Sequence, residues 1–142
     1  MTAQFEVHSV AETWEVARQL AATLKAGDVV CLEGDLGAGK TTFTQGLAAA
    51  LGVRGRVNSP TFCIVQEHES PSGDVLLVHM DLYRLQGEAD VLAIGWEDYL
   101  DRGAIMVVEW PERAGTLIPK SAARVEFRFL EGEENRKITI DK

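Results

Sequence analysis

Residues 28–42 read Asp-Val-Val-Cys-Leu-Glu-Gly-Asp-Leu-Gly-Ala-Gly-Lys-Thr-Thr. A short β-prone apolar run at 29–32 leads into Gly34-x-x-x-x-Gly39-Lys40-Thr41, and a helix-prone stretch follows over 41–51. This junction restricts the fold more than any other stretch. A loop wrapped round a polyphosphate must turn tightly and bring its backbone close, which suits Gly34, Gly37 and Gly39 because glycine tolerates positive φ. The helix that follows begins with unpaired N–H groups and a partial positive charge, and both favour an anion. Lys40 can reach β- and γ-phosphates, and the Thr41 hydroxyl can ligate Mg²⁺. A plain turn between strand and helix has no use for Gly39-Lys40-Thr41-Thr42.

With 142 residues, the chain is expected to form one domain over 1–142. Hydrophobic residues make up 46% and charged residues 25%, a balance that allows a real core. No apolar run approaches the length of a membrane span, and the first residues lack the basic-then-apolar order of a secretory signal. Cys31 and Cys63 lie in separate β-prone runs, form no C-x-x-C motif and read as buried free thiols of a cytoplasmic protein. The formal net charge is −8. Nucleic-acid binding rests on neutralising phosphates with Lys and Arg, so a large direct footprint on RNA or DNA is not expected.

Along the chain, Phe5 and Val7 alternate with polar neighbours and suggest a first strand. Ser9-Val10-Ala11-Glu12 fits a capping box. Trp14, Ala17, Leu20, Ala21 and Leu24 then recur at helical spacing, with Trp14 expected in the core and Gly27 expected to stop the helix. Thr13, in the first turn, could face a nucleotide edge. After the phosphate-loop helix come the basic Arg54-Gly55-Arg56 and the extended Asn58-Ser59-Pro60-Thr61-Phe62. A hydroxyl-bearing loop here is where nucleotide hydrolases place a switch segment. Runs at 62–69 and 75–80, separated by Ser70-Pro71-Ser72-Gly73-Asp74, read as an antiparallel hairpin. Residues 86–102 read as one or two short helices broken at Gly95. Runs at 123–130 and 137–140 flank an acidic turn and read as a terminal hairpin.

Two buried-looking strands end in carboxylates. One runs into His79-Met80-Asp81-Leu82-Tyr83-Arg84, the other, at 104–108, into Glu109-Trp110-Pro111-Glu112. An apolar strand tipped by a carboxylate is what a Mg²⁺ or water site beside a phosphate loop needs, and open α/β sheets place ligands at such strand ends. Asp81 and Glu109 compete for those roles. His79 reads as a hydrogen-bonded structural histidine. Arg84 reads equally as a surface ion pair or as a cation near the phosphates. Trp110 and Pro111 read as residues that cap the strand and shape the loop.

Taken in order, Gly34-Asp35-Leu36-Gly37-Ala38-Gly39-Lys40-Thr41-Thr42, Ser59-Pro60-Thr61-Phe62, His79-x-Asp81-Leu82-Tyr83-Arg84 and Glu109-Trp110-Pro111-Glu112 resemble the motifs of TsaE (YjeE), a family of small bacterial ATPases, over essentially the full length. The resemblance implies a three-layer α/β P-loop NTPase fold whose mixed sheet has central parallel strands and antiparallel hairpins. It implies binding of ATP or ADP with Mg²⁺, slow ATP hydrolysis, and a requirement in forming the threonylcarbamoyl group on adenosine 37 of tRNA. The implied partners are the TsaB and TsaD subunits. By position, Gly34, Asp35, Leu36, Gly37, Ala38, Gly39, Lys40, Thr41 and Thr42 would hold the phosphates. Thr41 and Glu109 would ligate Mg²⁺, with Asp81 near the metal and the water. Ser59 and Thr61 would form a switch-like loop, and Thr13 falls near a nucleotide-contacting position. Lys40, Asp81, Glu109 and Arg84 are the candidate catalytic residues. The acidic net charge fits a protein that drives a partner complex and has little tRNA affinity of its own.

Other classes begin with the same loop. A small-molecule kinase needs an Arg-rich lid and an acceptor pocket, for which this chain has little room. A GTPase would carry an Asn-Lys-x-Asp motif, absent here. A non-catalytic nucleotide-sensing adaptor would keep the loop and a partner surface, with hydrolysis incidental.

Overall fold

The computed structural model describes residues 2–34, 39–53, 64–132 and 135–142. Asp35, Leu36, Gly37 and Ala38 of the phosphate loop, the Ser59–Thr61 segment, Arg54, Arg56, Phe62 and Cys63 lie outside the described residues.

The chain runs β1 (Thr2–Val7), α1 (Val10–Ala21), β2 (Val29–Gly34), α2 (Lys40–Leu51), β3 (Val65–Glu69), β4 (Val75–Asp81), α3 (Glu88–Ala93), α4 (Trp96–Asp101), β5 (Ile105–Glu109), β6 (Ala123–Phe129) and β7 (Arg136–Asp141). Two short 3-10 turns, Pro111–Arg113 and Gly115–Leu117, follow β5. Among the described residues seven strands form one sheet in the order β1-β7-β6-β2-β5-β4-β3. The inner strands β6, β2, β5 and β4 are parallel, while β3 on one edge and β7 and β1 on the other pair antiparallel. The mixed sheet, with central parallel strands and the two antiparallel hairpins β3–β4 and β6–β7, is thus as expected.

Strand alternation divides the core in two. Val30, Leu32, Leu77, Ile105, Val107 and Val125 face one side, packed with Val16, Ala17 and Leu20 of α1 and Phe43 and Leu47 of α2. Val29, Cys31, Val78, Met80, Met106 and Val108 face the other, packed with Val91 of α3 and Trp96 of α4. Parallel strands covered by helices on both faces must be apolar on both faces. The run at 105–109 meets that demand, and every residue of β5 is buried. Because β2, β5 and β4 are parallel, their carboxyl ends, Gly34, Glu109 and Asp81, open on the same edge of the sheet.

Ser9 caps α1 by accepting from the Glu12 N–H at 3.1 Å, the first half of the expected capping box, while the Glu12 carboxylate reaches one residue further back and accepts from the His8 N–H at 3.2 Å. The helix ends at Ala21, short of Gly27. The Thr23 N–H and hydroxyl both donate to the Leu20 carbonyl, which closes the last turn locally. Gly27 belongs instead to a later turn, its N–H donating to Gly103.

Trp14 also departs from expectation, being 40% exposed. The buried face of α1 is Thr13, Val16, Ala17, Leu20 and Ala21, which leaves Trp14 on its margin. There it lies against α2 at Gly46, where a Cβ would stand 2.9 Å from the Ala17 Cβ and 3.1 Å from the Trp14 Cα. The two helices cross at this point through the missing side chain. A Gly46→Val variant is expected to lose about 1–3 kcal/mol of stability from overpacking, read as a lower chemical-denaturation midpoint. An unchanged midpoint would mean the helices separate without cost.

Candidate functional site

The flanks of the phosphate loop are set by two glycines with different reasons. Gly34 ends β2 at φ +146, paired with Phe127 of β6. A Cβ on it would lie 2.6 Å from the Phe127 carbonyl oxygen, so it is excluded by the neighbouring strand before any ligand is considered. Gly39 caps α2 in the left-handed region at φ +107 with no side-chain hydrogen bond to the first turn, which also holds no acidic residue. Among the described residues the leading N–H groups of this 12-residue helix meet neither a capping side chain nor an acidic residue in the first turn, the condition that makes a helix start receptive to phosphate. Phe43, one turn in, meets Phe127 edge-on with ring centroids 5.4 Å apart, which seats α2 against β6. Such pairs contribute about 0.5–1.5 kcal/mol beyond burial.

Lys40 lies at the start of this helix, its side chain only 10% exposed. Nζ donates to the Gly34 carbonyl at 2.9 Å and stands 3.6 Å from Glu109 Oε1. The other Glu109 oxygen, Oε2, is 2.7 Å from His79 Nε2. Glu109 is buried, and burial alone would push its carboxyl up. The hydrogen bond and charge of His79, and then Lys40, outweigh this and hold it below the ordinary carboxylate range. An ionised carboxylate only accepts, so His79 Nε2–H is the donor. The ring is fully buried, and its Nδ1 has no hydrogen-bond partner among the described residues.

Asp81 and Glu109 are register partners at the ends of β4 and β5. They occupy the face that carries Leu77, Ile105 and α2. Both candidate carboxylates thus lie side by side at the strand ends, and Glu109 is the one that stands beside Lys40. Asp81 is engaged locally, with Oδ1 accepting from the Tyr83 N–H at 3.0 Å, which holds the turn after β4.

Thr41 and Thr42 follow in the first turn of α2 and are partly buried. Thr13 is buried on the inner face of α1. Arg84 is exposed, in no ion pair among the described residues. Among the described residues no three His, Cys, Asp or Glu side chains gather as a metal site.

A cleft of about 230 Å³ opens at the ends of β2 and β5, lined by Leu32, Glu33, Gly34, Lys40, Trp110, Pro111 and Glu112. Trp110 does shape the loop. At φ +57 it is the non-glycine residue with a left-handed backbone among the described residues, and it leads into the 3-10 turn. It also lines the cleft and contacts Tyr83, with ring centroids 4.9 Å apart. Sequence reasoning assigned Trp110 no place in the cleft and gave His79 no link to Glu109. The spacing His79-x-Asp81 does put both side chains on one strand face, but the adjacency of Glu109 depends on the β4–β5 register.

A sheet of this topology, layered between helices and carrying a glycine-initiated helix at its carboxyl edge, defines an α/β protein of P-loop NTPase-like fold. The solved crystal structure of Bacillus subtilis YdiB superimposes with a TM-score of 0.75 at 34% identity, covering 99% of this chain and 84% of that one. The family model for TsaE, threonylcarbamoyl adenosine biosynthesis protein, matches residues 7–138, and the chain belongs to that family. Relatives named tRNA threonylcarbamoyladenosine biosynthesis protein TsaE include one from Streptomyces coelicolor, 50% identical over 89% of this chain and 87% of its own length. Another, from Bacillus subtilis, is 41% identical over 91% of this chain and 78% of its own. Among the described residues no helix is long and apolar enough to cross a membrane.

Proposed function

We propose that this chain is a cytoplasmic, single-domain, Mg²⁺-dependent ATPase. It would bind and slowly hydrolyse ATP in support of threonylcarbamoyl transfer to adenosine 37 of tRNA, acting on the TsaB and TsaD proteins. The observation that carries the reading is the convergence of Lys40, the glycine-initiated start of α2 and the buried Glu109 at one sheet edge. The names of the relatives supply the pathway. The net charge of −8 favours a protein partner over direct contact with tRNA.

The donor set fits a nucleotide with its cation. The N–H groups at the start of α2, Lys40 and the 34–42 loop would hold the phosphates. Thr41 and Glu109, with Asp81 alongside, would hold Mg²⁺, which when bound neutralises charge on the phosphate oxygens. Lys40 supplies a fixed positive charge where negative charge builds on the transferring group. Asp81 or Glu109 orients the attacking water and Arg84 steadies developing charge, so catalysis is positioning plus electrostatics. Ser59 and Thr61 would respond to the nucleotide state and alter partner affinity.

ATP hydrolysis should be slow for the isolated chain and change when the TsaB–TsaD pair is added, and single-turnover assays with and without that pair read this directly. An unaltered rate in both would favour the nucleotide-sensing adaptor. Tight tRNA binding by the chain alone at physiological salt would overturn the protein-partner assignment.

A further inference from the structure

We propose that His79 is a positioning residue for Glu109, fixing by its hydrogen bond the direction in which that carboxylate faces the phosphate-loop lysine. The proposal rests on the hydrolytic reading above and goes beyond it, since His79 would touch neither nucleotide nor metal.

Glu109 has three rotatable bonds and sits at a strand end, where a carboxylate can turn toward solvent. It is held at both oxygens: Oε2 by His79 Nε2 at 2.7 Å, and Oε1 beside Lys40 Nζ at 3.6 Å. The His79 ring cannot drift, because it is fully buried on β4. Its contact with Glu109 is diagonal across the parallel pair, His79 lying opposite Val107 and Asp81 opposite Glu109. One strand therefore presents both the second carboxylate and the donor that aims the first.

A histidine present only to fill the core would more cheaply be Leu or Met, which leave no polar atom stranded. Here Nδ1 is buried with no hydrogen-bond partner among the described residues. Burying an unpaired polar atom is costly, and the cost is offset only if the other nitrogen makes a bond that matters. Outer donors of this kind orient catalytic and metal-binding carboxylates, and losing one typically lowers metal affinity or activity about 10–100-fold.

The test compares wild type, His79→Leu and His79→Gln. Glutamine can place an N–H donor toward Glu109; leucine fills the space without one. Three readouts are taken: ATP turnover, ADP binding by calorimetry with and without Mg²⁺, and the thermal midpoint. For His79→Leu we expect kcat to fall about 10–100-fold with KM little changed, and the Mg²⁺ dependence of ADP binding to weaken, while ADP binding without Mg²⁺ stays near wild type. For His79→Gln most of both should return. Equal impairment of the two variants at similar thermal midpoints would overturn the proposal, as would wild-type kcat and Mg²⁺ dependence in His79→Leu. Wild-type protein that binds Mg²⁺·ADP but turns over no ATP would sink the hydrolytic reading alone, with the binding arm still deciding the role of His79.

Discussion

Replacing Lys40 with alanine is expected to abolish measurable ATP turnover and to weaken nucleotide binding. Lys40 is the cation that the fold brings to the start of α2, and it is nearly buried, with its side chain 10% exposed. In such a setting a positive charge acts on a phosphate with far less screening than in water. Removing a fixed, preorganised donor of this kind costs about 10²–10³ in rate. One lost charge-assisted hydrogen bond in the ground state is worth about 1.5–3 kcal/mol, or roughly ten- to more than a hundredfold in affinity. The loss should therefore appear in both binding and turnover, with turnover the more severely affected. Lys40→Arg keeps the charge but presents a planar fork in place of a point charge, so it should restore binding better than hydrolysis. ADP titration by calorimetry and ATP turnover under saturating nucleotide separate the two effects. Wild-type turnover in Lys40→Ala would remove the phosphate loop from the chemistry.

Much of this arrangement could be read before the fold was known, and the gaps have physical causes. The hairpins were legible because alternating runs are bounded by turn residues such as Ser70-Pro71-Ser72-Gly73, and β3 and β4 pair antiparallel across that turn. The break at Gly95 between α3 and α4 was legible for a similar reason. Gly27 misled because glycine serves any turn with positive φ, and α1 closes earlier through Thr23. Trp14 misled because helical spacing admits residues beside the buried stripe as well as within it, and α2 covers only one side. At the site, the two strand-end carboxylates were legible from apolar runs that stop at Asp81 and Glu109. Which neighbours they meet was not. The link from His79 to Glu109 and the place of Trp110 in the cleft both depend on register and on a loop bend, and those arise between strands rather than along one. Gly34 also took on a different meaning. The motif assigns it to a phosphate, whereas its immediate constraint is the backbone of Phe127.

Glu109→Gln should separate the chemical role of this carboxylate from its role in holding the fold. The substitution keeps the shape and a hydrogen-bond acceptor for His79 but removes the charge that would meet Mg²⁺ and the attacking water. Mg²⁺-dependent turnover is expected to fall by at least about a hundredfold, the usual scale for losing a positioned carboxylate in proton transfer or metal binding. Nucleotide binding without Mg²⁺ should change little, or even strengthen, because one negative charge leaves the neighbourhood of the phosphates. Stability gives an independent check. The Glu109 carboxyl is held below its ordinary range, first against the pull of burial and then by His79 and Lys40. Its ionised form is therefore favoured by folding. A group with a depressed folded-state value contributes stability that is fully present above its unfolded value and lost as pH falls through the folded one. Glutamine has nothing to titrate, so the advantage of wild type over the variant should be full above the ordinary carboxylate range and shrink as pH falls through and below it. Denaturant midpoints for both proteins across that range measure it. A difference that stays flat with pH would mean that the carboxylate gains nothing from its partners. Full Mg²⁺-dependent turnover in Glu109→Gln would instead assign the metal and the water to Asp81, its register partner on β4.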